Sequence, residues 1–317
     1  MEENTKKTQK QTENAIGKEN KIVTGVIWQQ LLLFFFPILF GTFFQQLYNA
    51  ADAVIVGRFV GKEALSAVGG GTGTLIQLLV GFFVGLSSGA TVIISQYYGA
   101  KRAEMVGYAV HTSIAFSLVA GVGMMIVGIT AAPWALRAMS TPEDILGPAT
   151  TYIRIYFLGV IGNLIYNMGA GILRAVGDSK RPLYFLIASS LGNIALDLLF
   201  VIEFKMGVGG VAWATFLCQG LAGILAACVL LIRLKKVQTE PYKKFSLPML
   251  GRIGVVAVPS VLQQSFISVG NLCIQGLINN HGSAAIAGYS AAVKLNTFAL
   301  TSFTTLANGL SSFTAQN

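Results

Sequence analysis

PILFGTFFQQLYNAADAVIVGRFVGKEALSA, residues 37–67, starts over as PSVLQQSFISVGNLCIQGLINNHGSAAIAG, residues 259–288. The prolines (Pro37, Pro259) and asparagines (Asn49, Asn271) match at an offset of 222 residues. The anchors Gly61 and Ala64 match Gly282 and Ala285 at 221, and GATVIISQ (89–96) returns as GLSSFTAQ (309–316) at 220. A period that long lies far above that of solenoid repeats. It means two homologous halves, a plan on which many secondary transporters are built. The chain holds one whole half and about a third of the next, so the repeat predicts a reading frame running on past Asn317 for about 130 residues.

Composition sets the solvent. Charged residues are 11% of the chain, hydrophobic residues 54%, and mean hydropathy is +0.66. A soluble globular chain carries about 25% charge, so this is an all-α integral membrane protein. Apolar runs of about 20 residues mark spanning helices. There are eight: 27–57, 64–96, 105–131, 148–172, 183–203, 208–232, 250–278 and 284–315. With the N-terminus inside, the inner segments hold sixteen Lys and Arg and the outer segments four, Arg58, Lys62, Arg137 and Lys205. The net charge of +9 is therefore topological, facing the anionic cytoplasmic leaflet of the cell membrane, and nucleic acid is excluded as a partner.

The segments follow. Residues 1–25 are a polar cytoplasmic tail without the apolar core of a signal peptide. Residues 26–232 form a complete six-helix lobe. Residues 233–249 (RLKKVQTEPYKKFSLPM) are the cytoplasmic linker, and 250–317 are the first two helices of an incomplete second lobe. Cys218, Cys228 and Cys273 sit inside apolar segments as small packing residues. No Walker motif, nucleophile–base arrangement or CxxC is present, so the chain reads as a non-enzyme with no cofactor. His111 and His281 have no partner ligands nearby in sequence.

Two aspartates, Asp52 in span one and Asp197 in span five, stand where the bilayer should exclude them. A mid-helix charge costs about 2.5–3.5 kcal/mol on insertion scales and marks function by default. Each lies six residues before an outer end, hence about 9 Å deep at 1.5 Å per residue. Thr215 of span six falls about 13 Å deep and Asn193 about 15 Å deep, the latter one turn from Asp197. Four oxygen-bearing side chains thus share one layer, a candidate cation site. Gln45, Tyr48 and Asn49 continue the Asp52 stripe, and Asn163, Asn167 and Gln219 face it from spans four and six. These residues predict a water-accessible cavity inside the first lobe. Pro37 removes a backbone bond within span one and opens a bend. The basic run Arg174-Ala-Val-Gly-Asp178-Ser-Lys180-Arg181 reads as headgroup anchoring, with phosphate binding the alternative. After Glu240 there is no acidic residue.

The first span, LRAVGDSKRP (173–182), GNIALDLLF (192–200) and GVGGVAWATFLCQ (207–219) resemble the multidrug and toxic compound extrusion (MATE) transporters. The similarity runs from about Trp28 to the end. It implies two six-helix lobes around a V-shaped cavity, and antiport of small organic cations against protons or sodium by a monomer. In the branch with its cation site in the first lobe, the resemblance assigns the coupling ion to Asp52, Asn193, Asp197 and Thr215, which would also be the metal ligands if that ion is Na⁺. It matches Tyr48 and the pair Asn163 and Asn167 to family positions and the bending proline to Pro37, while Gln45, Asn49 and Gln219 join the cavity through the polar stripes. Two carboxyls close together in a low-dielectric pocket can share a proton at neutral pH. The rival readings are a flippase for lipid-linked saccharides, which needs a cationic cavity, and a non-transporting membrane assembly module.

Overall fold

The computed structural model describes residues 27–69, 71–139, 141–237, 245–279 and 283–316. The predicted tail 1–25 and linker residues 238–244 lie outside them. Without water, a backbone in hydrocarbon must satisfy its own hydrogen bonds, and the apolar runs accordingly fold as helices, with no strand among the described residues. The first is α1 (Ile27–Ile55), which continues through Pro37 and ends in a π-turn, Val56–Val60, closed by the Gly61 N–H on the Val56 carbonyl at 3.0 Å. The second span is described as α2 (Lys62–Gly69) and α3 (Gly71–Gly99), and α4 (Ala103–Ala138) follows. The fourth span is bent: α5 (Glu143–Leu158) and α6 (Val160–Ala175) meet at 48°. The sequence reads it as unbroken over 148–172, and the break falls at Gly159, packed against Phe216, where no side chain resists the kink.

Next come α7 (Lys180–Leu198) with its own terminal π-turn, Leu199–Glu203, then α8 (Gly207–Val237), α9 (Leu247–Asn279) and α10 (Ser283–Gln316). These elements overlay all eight expected spans. Among the described residues, six helices, or seven counting the bent pair, are long and apolar enough to cross a membrane. The helix α10 is not among them, because Lys294, Asn296 and several Ser and Thr residues dilute its apolar run.

One large apolar cluster joins α3, α4 and α6 through Phe83, Ile94, Val110, Leu164, Met168 and Ile172, and α9 adds Met249, Ile253 and Ala257 to it. Helices in lipid associate by close packing, so small residues mark their interfaces. Gly81, Gly85 and Gly89 of α3 recur every fourth residue and face Gln264, Val261 and Ala257 of α9. A Cβ on Gly85 would lie 2.7 Å from the Val261 nitrogen, and one on Gly89 2.6 Å from the Ala257 Cβ. On the other side, Gly309 of α10 faces Phe34 and Ile38 of α1, and the Thr42 and Thr305 hydroxyls are 3.4 Å apart.

Polar contacts gather at the end that carries the basic loops. Arg252 Nη1 donates to the Tyr97 hydroxyl at 2.5 Å, and the Ser246 N–H to Thr112 Oγ1 at 3.1 Å. Gln316 Nε2 donates to the Ala175 carbonyl at 2.7 Å, closing the C-terminal end of α6. In its other half, α9 exposes Phe266, Ile267, Val269 and Ile274.

Placing a side chain at the α3–α9 contact should force the helices apart. Gly85→Val is expected to destabilise by about 1–3 kcal/mol, the usual overpacking penalty. Gly123→Ala, whose Cβ meets nothing within 4 Å, should be nearly neutral. Thermal unfolding in detergent separates the two; equal midpoints would contradict the close approach.

Candidate functional site

Side chains three or four apart share one helix face, and the buried ones of α7 recur as Leu186, Ser190, Asn193 and Asp197. This face meets α1, whose buried residues include Tyr48, Asp52, Ile55 and Val56. Asp197 is 0% exposed and Asp52 7%. Their carboxyl groups lie within hydrogen-bonding reach of each other. No donor reaches Asp52 Oδ1, either oxygen of Asp197, or the Asn193 side-chain oxygen, and Ser190 Oγ also lacks a partner among the described residues. Asn193 Nδ2 points to Thr215 Oγ1 of α8 at 3.5 Å.

The helices α6 and α8 come together because Gly162 packs on Gly220 and Gly223. That approach places Asn163, Thr215 and Gln219 around a small pocket with Tyr156, Gly159 and Phe216. Gln219 Nε2 donates to the Tyr48 hydroxyl at 3.2 Å, and Gln45 also reaches that hydroxyl. Asn167 turns back on its own helix, its Nδ2 2.6 Å from Asn163 Oδ1. Toward the end opposite the basic loops, Ile55, Val56, Tyr152, Ile155, Val201 and Val208 form an apolar cluster.

Of the residues selected from sequence, Asp52 and Asp197 are therefore in contact, and Asn193 and Thr215 are joined beside them. Tyr48, Asn163 and Gln219 adjoin this group. Gln45, Asn167 and Pro37 line a separate cavity nearer the basic end, enclosing with its open mouth about 440 Å³. The expected cavity residues are thus spread over two separate pockets, with Gln219 in the smaller one and Gln45 in the larger. Asn49 joins neither and is exposed, because one residue turns it 100° from Tyr48.

Other features escaped the sequence reading. Tyr152 and Tyr156 continue the Asn163 stripe at helical spacing, a periodicity that was available. Tyr152 lies within electrostatic range of both aspartates, and Tyr48 within range of Asp52. The π-turns follow within a turn of each aspartate and pack against one another. Such turns often mark functional sites, but no residue pattern announces them. Arg174 is a correction. The sequence groups it with the basic run 174–181 as a headgroup anchor. Instead Arg174 stands in the last turn of α6 and lines the larger cavity, since helical side chains point back toward the N-terminus. Arg154 is exposed, its Nε donating to the Ile129 carbonyl at 3.3 Å, and the Lys294 side chain is not among those described.

The arrangement gathers two carboxyls, an amide and a hydroxyl from α1, α7 and α8. Comparison with known proteins bears on what such a site serves. A probable multidrug resistance protein of Bacillus subtilis (strain 168), YpnP, is 30% identical over 280 residues, covering 86% of this chain and 61% of that protein. YoeA of the same organism, also described as a probable multidrug resistance protein, is 29% identical over 92% of this chain and 64% of its own length. The chain thus spans less than two thirds of either relative. A solved structure described as the outward-facing conformation of a multidrug resistance MATE family transporter superposes with a TM-score of 0.86, at 26% identity, over 94% of this chain and 66% of that one. The family model MatE matches residues 37–199, just over half of the chain, and this multi-pass membrane protein belongs to that family.

Proposed function

We propose that this chain carries the coupling half of a secondary active antiporter that exports organic cations in exchange for protons or sodium. The observation that carries the reading is the contact between Asp52 and Asp197. Two carboxylates in contact repel, and burial without donors makes the repulsion worse. A proton or Na⁺ between them relieves it. An organic cation drawn to the same negative site is relieved of that charge when the small ion binds, so each ligand favours the state from which the other has left. The relatives described as multidrug resistance proteins support a drug-like substrate.

Movement follows from the same residues. Neutralising Asp52 alters the hydrogen bonding along α1, and Pro37, one side of the larger cavity, is where that helix lacks a backbone bond and bends most easily. On this reading residues 26–232 are the first lobe and 250–317 open the second. The N-terminus lies in the cytoplasm, the protein acts as a monomer, and the contacts near the basic loops hold the inner side shut. The flippase reading gains a cation in Arg174. Yet the donor-poor carboxyl pair lies deeper and favours a cationic cargo.

Asp52→Asn is expected to reduce substrate efflux from vesicles to background while the protein still reaches the membrane. Efflux persisting at the wild-type rate refutes the mechanism. The same variant removes one of two opposed charges and gives Asp197 an amide donor. Its unfolding midpoint at neutral pH should equal or exceed that of wild type, and a clear fall would mean the carboxyls are not in contact. Imposing a Na⁺ gradient at constant pH, and a pH gradient without Na⁺, should show one of the two driving efflux; transport indifferent to both rules out coupling at this site.

A further inference from the structure

The larger cavity has a chemistry opposite to that of the carboxyl pair. Its wall includes Pro37, Thr42 and Gln45 of α1, Arg174 of α6, Ser179 before α7, and Leu183. No aspartate or glutamate lines it among the described residues. The nearest acid in sequence, Asp178, is engaged elsewhere: Arg181 Nη1 lies 3.0 Å from its Oδ2, and the Arg181 N–H donates to its Oδ1 at 3.2 Å. No described carboxylate pairs with Arg174, and Lys180 points outward. The basic run therefore splits into three roles. Lys180 faces the surface, Arg181 is neutralised locally, and Arg174 alone brings an uncompensated charge to the cavity. Guanidinium is planar and always charged, and its paired N–H groups match the oxygens of phosphate. Ser179 is buried and offers a neutral donor beside it, with the Gln45 amide deeper in.

We propose that this cavity binds a phosphate group, held by the Arg174 guanidinium with Ser179 and Gln45 as neutral hydrogen-bond donors. It does not depend on the antiport reading, since the two sites share no charged residue. The group has two available sources. One is a soluble phosphate compound from the cytoplasm; the other is the headgroup of an anionic lipid, concentrated by the basic loops at the inner leaflet. An occupant would rest against Pro37, the bend of α1.

The test is made on the protein reconstituted in phosphatidylcholine nanodiscs, by following its thermal unfolding. Inorganic phosphate is titrated in one arm, and phosphatidylglycerol replaces part of the lipid in the other. A ligand that binds only the folded state raises the midpoint. A rise with phosphate identifies a soluble ligand, and a rise with phosphatidylglycerol alone identifies a headgroup; either supports the proposal. Arg174→Gln should weaken the response at least about tenfold, as expected when a charge-assisted bidentate pair is lost. Arg174→Lys, which keeps the charge but loses the fork, should fall between. Lys180→Gln should respond as wild type. No midpoint rise in either arm, or an Arg174→Gln protein responding like wild type, overturns the proposal. If Arg174→Gln does not fold, Arg174→Lys and Ser179→Ala decide: unchanged responses in both overturn it, weakened ones support it.

Discussion

Contact between two carboxyl groups that lack other donors is the condition to which the first six spans are fitted. A charged side chain inside a bilayer costs several kcal/mol, and two of like sign in contact cost more unless a cation joins them. The surroundings do nothing to dilute that cost. Asp197 has no measurable exposure, the Asn193 oxygen beside it also lacks a donor among the described residues, and an apolar cluster covers the side away from the basic loops. A bundle selected only for stability would place an amide or an arginine against such a pair. Here Arg174 lines a different cavity.

The local backbone answers to the same constraint. Both aspartate-bearing helices relax into π-turns immediately beyond their acids, with i→i+5 bonds of 3.0 and 3.1 Å at Gly61 and Phe204. A π-turn widens a helix by one residue and shifts the register of whatever follows. Having two of them packed together means that neither helix end is locked in regular α geometry. At the other end of the site, the fourth span is broken at Gly159, beside Tyr156 and Asn163. The carboxyl pair is thus bordered on two sides by backbone that is not regular helix.

How far the sequence reveals this depends on what kind of force sets each feature. Spans were legible because hydrocarbon permits only one backbone solution for a long apolar run. The layer shared by Asp52, Asn193, Asp197 and Thr215 was legible because helix rise converts sequence distance into depth. Azimuth was less so: Asn49 lies at the right depth but on an exposed face, and the expected cavity residues are spread over two separate pockets. Arg174 was misplaced because the helix runs two or three residues beyond its apolar stretch, and a long side chain reaches further back than its own Cα suggests. The π-turns and the 48° bend arise from packing between helices, which no local pattern records.

The repeat itself separates two requirements. Gly89 packs tightly on Ala257, and its counterpart Gly309 lies in ordinary contact with Phe34 and Ile38, so at this one position each half sets a glycine against the first helix of the other. Contacts repeated in this way suit a hinge that must open and close against itself. The span-one charge is not repeated. At the offset of 222, Asp52 corresponds to Ile274, an exposed aliphatic residue. On the antiport reading, therefore, the packing that the two first helices share supplies the movement, and the carboxyl that only one of them carries supplies the coupling.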